Sequence, residues 1–314
     1  MMTSSTDILP ANISLANISQ ANIPQAKALL YRWLQQQIPA ERLAWLDNRL
    51  KQLAEKGAAD RLLFTTFSSV PRYTTKADLS LTDADLREAD SIRAGWLPNG
   101  WSLDQAGRTL LLLSLPDKAA ESYQASIEKL FSAADVSEQI ALYQSLPLLP
   151  HPHLFVARAA EGLRTSMTAV FNAIALNNPF PGDHFEQLAW NQMVLKAVFV
   201  ESPLHLIQQL DRRANPELAR MLSDYAHERW AAKREVTPEL WRLIGPFLND
   251  QFISDIERAL NLPSKEQQLA AAIACAQSSL PAAQKLLSQH PAAKAEIADR
   301  QLDWDKFSQQ YLAA

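Results

Sequence analysis

The fold class is decided by the stretch Pro24-Gln-Ala-Lys-Ala-Leu-Leu-Tyr-Arg-Trp-Leu34, which is followed by Leu43-Ala-Trp-Leu-Asp-Asn-Arg-Leu-Lys-Gln-Leu53. In both stretches the apolar side chains recur at spacings of three, four and seven, which places them on one face of an α-helix. Similar spacings continue along most of the chain, and no stretch shows a sustained alternation of apolar and polar residues. We therefore predict an all-α protein.

Proline marks the expected starts of three later helices. A polar residue precedes proline at Ser202-Pro203, Asn215-Pro216 and Thr237-Pro238, as expected where the polar residue caps a helix and proline takes its first position. Such starts and stops predict on the order of sixteen helices of about ten to eighteen residues each. Short links between many helices favour antiparallel hairpins, stacked either as a HEAT-like α-solenoid or as an irregular helical bundle.

Composition excludes several classes of function. Only 7 of the 314 residues are glycine, and neither GxGxxG nor GxxxxGK[ST], the motifs that bind dinucleotides and nucleotide phosphates, occurs. The formal net charge of −4 leaves no basic excess to neutralise a phosphate backbone, so we expect no nucleic-acid partner. The single cysteine, Cys275, lies in an apolar stretch and is expected to be a buried small side chain.

The N-terminus differs in composition from the rest of the chain. Three five-residue units that begin with Ala-Asn-Ile run from Ala11 to Gln25. They are too few to form a stable coil, so we expect residues 1–23 to be a disordered leader. Residues 24–314 are expected to form one helical domain, with a weak boundary near residues 69–80. The sequence shows neither a secretory signal nor an apolar run long enough to cross a bilayer. We expect a cytoplasmic protein that reaches the inner membrane only through partners.

Candidate binding residues lie mainly between residues 151 and 245. Arg158, Glu161 and Arg164 are three residues apart, which predicts an Arg-Glu-Arg ladder on one helix face. The predicted helix 184–200 is apolar on nearly every side and is expected to be buried. Its Asn191 and Lys196 must then find partners inside the protein, and for the ammonium group the candidate partners are Asp211 and Glu161.

A second polar cluster is expected on the helix that begins at Pro216. Its members Asp224 and Glu228 are like charges four residues apart, which is unfavourable unless a cation lies nearby. Arg220, Arg212 or Arg213 would supply that charge. No His or Cys spacing typical of a metal site occurs, so we expect no metal or other cofactor. The candidate ligand-binding residues are Arg158, Glu161, Arg164, Asn191, Lys196, Asp211, Arg212, Arg213, Arg220, Asp224, His227 and Glu228.

Several stretches resemble one protein family. They are Ile140-Ala-Leu-Tyr-Gln-Ser-Leu-Pro-Leu-Leu-Pro150, Val156-Ala-Arg-Ala-Ala-Glu-Gly-Leu-Arg-Thr165, Ala173-Ile-Ala-Leu-Asn-Asn-Pro-Phe-Pro181, Ala189-Trp-Asn-Gln-Met-Val-Leu-Lys-Ala-Val-Phe199 and the segment 210–230, with Arg93-Ala-Gly-Trp96 and Gly100-Trp101-Ser-Leu-Asp-Gln-Ala106 before them. Through these stretches the chain resembles the EboA family of metabolite-traffic proteins. The resemblance extends over residues 24–248.

The resemblance implies a role in metabolite traffic. EboA proteins are encoded in bacterial gene clusters associated with moving secondary metabolites or their precursors out of the cytoplasm, beside a UbiA-like membrane prenyltransferase. No catalytic residue is carried over. We therefore expect a non-catalytic helical scaffold or carrier, with other proteins of the pathway, the UbiA-like prenyltransferase and a small lipophilic metabolite as its partners.

Two other functions remain open at this stage. One is an enzyme that acts on a lipophilic or prenylated intermediate, with Lys196, Asp211, Asp224 and His227 around one pocket. The other is a subunit that only stabilises a partner enzyme.

Overall fold

A computed structural model describes residues 21–55, 60–116 and 119–312, and over these ranges the protein is all-α. Helices account for 71% of the structure, and the described residues contain no strand beyond an isolated bridge between Asp78 and Ser102. The predicted fold class is confirmed. Within the same ranges, none of the helices combines the length and apolar character needed to cross a bilayer.

The helices of the described ranges are shorter and more numerous than predicted, running from 5 to 16 residues. In chain order they are α1 (Ile23–Gln37), α2 (Ala40–Ala54), α3 (Asp60–Thr74), α4 (Asp83–Ile92), α5 (Leu103–Leu113), α6 (Ala120–Ala133), α7 (Val136–Ser145), α8 (Val156–Gly162), α9 (Thr168–Ala175), α10 (Phe180–His184), α11 (Gln187–Phe199), α12 (Pro216–Ala231), α13 (Leu240–Ile244), α14 (Ile253–Leu260), α15 (Lys265–Gln277), α16 (Pro281–Gln289), α17 (Pro291–Asp299) and α18 (Trp304–Tyr311).

Two helices lie at the centre of the packing. Helix α5 is buried along nearly its whole length and packs against α1, α3 and α7. Gly107 lets α3 approach α5 closely, since a Cβ atom there would lie 2.9 Å from Val70 Cγ1. Helix α15 packs against α13, α14, α16, α17 and α18 through a stretch of small side chains. Cys275 is buried in that stretch, as predicted, and burial raises the pKa of its thiol to about 12.

The helices do not pack only against their neighbours in sequence. Consecutive helices such as α2 and α3 or α14 and α15 are in contact, but α1 also packs against α5, and α7 against α9. Their buried apolar side chains form one contiguous core cluster. These contacts fit the irregular bundle among the predicted arrangements, and the HEAT-like stacking stays a prediction.

One of the three predicted Pro-marked starts is confirmed. Helix α12 begins at Pro216, and the Asn215 side chain accepts the N–H of Leu218 at 3.0 Å. Pro203 precedes only a 3₁₀ turn, Leu204–Leu206, and Pro238 lies ahead of a short α13. The reason is tertiary: the Glu239 carboxylate accepts the N–H groups of Leu204 and His205 and so fixes the turn against the start of α13.

The predicted leader and domain boundary are not tested by these helices and stay predictions. The repeats within residues 1–20 lie outside the described residues. Helix α1 begins at Ile23, and the Asn22 side chain caps it by accepting the N–H of Gln25 at 3.2 Å. Helix α3 continues to Thr74 with Pro71 inside it, so helical structure extends into the predicted boundary region, and the boundary itself stays a prediction.

Candidate functional site

The predicted Arg-Glu-Arg ladder is half formed. Arg164 Nη1 donates to Glu161 Oε2 at 2.9 Å, and both side chains are exposed. Arg158 instead pairs with Glu128 of α6, which raises the pKa of Arg158, and its guanidinium lies 5.5 Å from the centre of the Phe131 ring. Arg158 therefore joins α8 to α6.

Helix α11 is not buried on every side, and that prediction is wrong. Leu188 is 64% exposed and Phe199 is 71% exposed. Gln192, which lies between them on the same face, is also exposed. The opposite face packs against α12 and the turn at Leu204–Leu206, so an apolar helix here is buried on one side only.

Lys196 binds backbone carbonyl groups and not a carboxylate. Its half-buried ammonium donates to the carbonyl oxygens of Leu163 and Thr165 and lies 5.2 Å from the centre of the Phe171 ring. Leu163 directly follows α8 and Thr165 is two residues further on, so the cation lies near the negative end of that helix dipole. Burial lowers the pKa of Lys196. The predicted partners, Asp211 and Glu161, each pair elsewhere.

Asn191 does find its partner inside the protein. It is fully buried and exchanges two hydrogen bonds with Asn215, at 3.2 and 2.8 Å. Because Asn215 also caps α12, this amide pair sets the position of α12 against α11.

The three consecutive residues 211–213 have three different partners. Asp211 forms a bidentate ion pair with Arg242 of α13, with both N–O distances 2.6 Å. Arg212 donates to the amide oxygen of Gln209. Arg213 lies 4.7 Å from the centre of the Trp190 ring and donates to the carbonyls of residues 181 and 182, and burial lowers the pKa of its guanidinium to about 10.

The charged face of α12 joins two helices without forming a catalytic triad. Arg220 pairs with Asp224 at 2.8 Å, as predicted, and Glu228 is exposed. His227 Nε2 lies 2.6 Å from Oδ1 of the buried Asp255 of α14, whose Oδ2 accepts the Ser223 hydroxyl at 2.7 Å. In a triad, histidine lies between the nucleophile and the carboxylate, whereas here the carboxylate lies between serine and histidine.

The predicted site residues therefore lie at several separate helix contacts and do not form one site. Only Glu161 with Arg164 and Arg220 with Asp224 are brought together. Lys196, Asp211, Asp224 and His227 each bind a different element, and none of the twelve predicted residues lines the cavity described next.

A cavity of about 160 Å³ lies among the segment 96–101, helices α7 and α9, and the segment 176–179. None of its lining residues is ionisable. Eight are apolar and five carry side-chain amides: Trp96, Trp101, Ile140, Pro147, Ala169, Ala173, Leu176 and Pro179, with Asn99, Gln144, Asn172, Asn177 and Asn178. Asn99 and Ala169 are exposed and form the mouth, whereas Trp96 and Ala173 are buried.

A buried ion pair supports one wall of this cavity. Arg93 pairs with Asp183 of α10 and donates to the carbonyls of Ala94 and Pro147, at 2.6 and 3.3 Å. Gly95 adopts a φ of +81°, which suits glycine, and its carbonyl accepts Gln208 Nε2 at 2.6 Å. The ion pair and the glycine turn together hold Trp96 in the wall.

Side-chain amides support the opposite wall. Asn178 donates to the carbonyls of Tyr143 and Ala173, at 3.2 and 3.0 Å, and accepts the N–H of Phe180. The side-chain amide oxygen of Asn172 accepts the hydroxyl of Ser202 at 2.7 Å. Asn178 is thus tied to the backbone of α7 and α9, and Asn172 is tied to Ser202, so these two amides are held in place.

Two wall residues keep a buried polar atom without a hydrogen-bond partner among the described residues. They are Trp96, at Nε1, and Gln144, at Oε1. An unsatisfied buried polar atom typically costs about 1–3 kcal/mol. The described residues that line the cavity thus offer a bound molecule only apolar groups, indoles and amides.

The sequence-based predictions do not include the residues that line the cavity, because those predictions rest mainly on charged side chains. The residues that form it are indoles and amides, which also occur in ordinary cores. The sequence signals that point to it are Gly95 directly before Trp96, Gly100 directly before Trp101, and the Asn177-Asn178-Pro179 turn. Both glycines have positive φ, and Asn177 has a φ of +50°.

The chain matches the model of a protein family. The family model described as "Metabolite traffic protein EboA" matches residues 26–245, more than two thirds of the chain. Every residue that lines the cavity lies within the matched range. Neither a curated protein nor a solved structure matches significantly.

Proposed function

The chain belongs to the EboA family of metabolite traffic proteins, and from that premise we propose that it is a non-catalytic carrier whose cavity binds a small metabolite. The observation that supports this function best is the uncharged cavity inside the family-matched range. Small-molecule sites are typically concave and mostly apolar, with a few placed polar groups. In this cavity the side-chain amides and the indole N–H groups are the placed polar groups, and they lie among apolar residues.

We also propose a setting for the carrier. The bound molecule is a secondary metabolite or its precursor in transit out of the cytoplasm, and the partners are other proteins of the pathway, including a UbiA-like membrane prenyltransferase. The resemblance of the sequence to EboA proteins supports this setting.

The enzyme alternative receives less support from the contacts. An amine acts as a nucleophile or base only with a free lone pair, whereas the Lys196 ammonium donates to two carbonyls. Asp211 pairs with Arg242. These groups stabilise helix contacts and are not poised for chemistry.

Mass spectrometry of the small molecules that the purified protein retains tests the carrier function. We expect one metabolite to be enriched on the wild type and lost in Ala169→Phe, because phenylalanine at this exposed position of α9 fills the mouth. The matched control is Ala231→Phe, at an exposed position on α12 away from the cavity. Equal retention by wild type and Ala169→Phe, or no enriched molecule, would contradict the proposal.

A further inference from the structure

The volume of the cavity limits what it can enclose. In another protein, an engineered apolar cavity of about 150 Å³ stays dry and holds one benzene molecule. Pockets that enclose drug-sized ligands have about 300–1,000 Å³. At about 160 Å³, this cavity has room for one ring and a small substituent, and the rest of a larger metabolite must lie outside.

The described residues that line the cavity are uncharged, and this favours an uncharged ring as the ligand. The nearby Arg93 is paired with Asp183 and does not line the cavity. A charged group in the cavity would therefore lose water without gaining a counter-ion, which is strongly unfavourable. An uncharged ring avoids that cost.

The unpartnered indole N–H of Trp96 indicates which polar group the ring of the ligand carries. Trp96 is 2% exposed and its Nε1 is buried without a partner among the described residues. An indole N–H can only donate, so its complement is an oxygen or another acceptor. Nε1 has almost no accessible surface, so the proposed contact requires the indole to rotate towards the cavity. Gln144 of α7 offers a buried amide oxygen as an acceptor in return.

The position of the mouth gives the orientation of the ligand. Trp96 is at the buried end of the cavity, whereas Asn99 and Ala169 are at its exposed end. Resting on the carrier function above, we propose that the cavity takes one uncharged ring with a hydrogen-bond acceptor directed towards Trp96. The remainder of the metabolite extends past Asn99 and Ala169 into solvent.

Binding of three small probes to the full chain, measured by ligand-observed NMR titration, tests the charge and the acceptor. Benzamide is expected to bind at least tenfold more tightly than benzoate, which has the same shape and a negative charge. In Trp96→Phe, benzamide is expected to bind about threefold to tenfold more weakly, the usual effect of losing one neutral hydrogen bond. Toluene has no acceptor. Its affinity for Trp96→Phe should therefore fall only by the packing that is lost when the phenyl ring replaces the larger indole.

Two further variants control for changes in packing. Trp190 is also fully buried with an unpartnered Nε1 but does not line the cavity, so Trp190→Phe should leave benzamide affinity unchanged. Gln144→Met keeps the side-chain length at a half-buried position and should weaken benzamide about twofold to tenfold. If Trp96→Phe does not fold, the benzamide affinity of Gln144→Met tests the proposed hydrogen bonding.

A longer probe tests the orientation. In 4-butoxybenzamide the tail is opposite the amide, so it should leave through the mouth and bind within threefold of benzamide or more tightly. A tenfold weaker affinity would show that the cavity closes over its whole ligand and would overturn the proposed orientation.

Failure of this inference and failure of the carrier function give different results. Equal affinity for benzoate and benzamide, no probe binding, or an unchanged benzamide affinity in both Trp96→Phe and Gln144→Met overturns the inference. The carrier function still stands if a cellular metabolite is retained by the wild type and lost in Ala169→Phe.

Discussion

Behind the cavity wall, the Arg93 and Asp183 side chains are only 3% and 10% exposed, whereas Arg220 and Asp224 on the outer face of α12 are 55% and 53% exposed. Both are arginine–aspartate pairs. The first joins residues 90 positions apart, and the second joins residues four apart on one helix. The buried pair supports a wall of the cavity, and the exposed pair lies on the surface of α12.

The charged side chains of both pairs lie outside the cavity that we propose as the binding site. Charged side chains stabilise contacts between helices, and the cavity itself is lined by uncharged indoles and amides. Loss of one partner from a buried pair leaves an uncompensated charge, whereas an exposed pair is replaced by water at little cost. Substitutions at the two pairs should therefore differ strongly in their effect on stability.

The largest expected effect is that of Asp183→Asn. The substitution leaves the Arg93 guanidinium buried with carbonyl partners only, so we expect the free energy of unfolding to fall by about 3–5 kcal/mol. Urea denaturation measures this loss, with Asp224→Asn as the exposed control. A loss below about 1 kcal/mol would show that the buried pair is no more important than the surface pair.

The next effect concerns the glycine turn that holds Trp96. Gly95→Ala is expected to cost about 2–3 kcal/mol, because a left-handed alanine costs about 1–2 kcal/mol and the lost hydrogen bond about 1. The new Cβ would lie 2.2 Å from Gln208 Oε1, which must move. Gly100→Ala is the matched control, since Gly100 also has positive φ but no atom within 4 Å of such a Cβ. Equal losses of melting temperature would contradict the close contact with Gln208.

The sequence predicts the fold class and much of the local structure, but not the cavity. Apolar spacing predicts α1 and α2, and Asn215-Pro216 predicts the start of α12, because caps and periodicity are local. The ion pair between Arg93 and Asp183 depends on how distant helices pack, which no local pattern contains. The buried helix predicted at 184–200 fails for the same reason, since its neighbours cover only one face.

Lys196→Met has an intermediate expected effect. A cation at the negative end of a helix dipole contributes up to about 2 kcal/mol in partly buried positions. We therefore expect the free energy of unfolding to fall by about 1–2 kcal/mol, less than for Asp183→Asn, since no carboxylate loses its partner. Gln192→Met, at an exposed position on the same helix, should change it by less than about 0.5 kcal/mol. A Lys196→Met effect as small as that of the control would show that the carbonyl contacts contribute nothing.

The smallest expected effect is the coupling between Arg220 and Asp224. A double-mutant cycle with Arg220→Gln and Asp224→Asn should give a coupling energy of about 0.3–0.5 kcal/mol, typical of exposed pairs four residues apart. The coupling should decrease at high salt, because exposed charges are screened. Metabolite retention should not change in either variant, since neither residue lines the cavity. A coupling above about 1.5 kcal/mol, or loss of the retained metabolite, would place this face among the functional parts of the protein and end the distinction between the two regions.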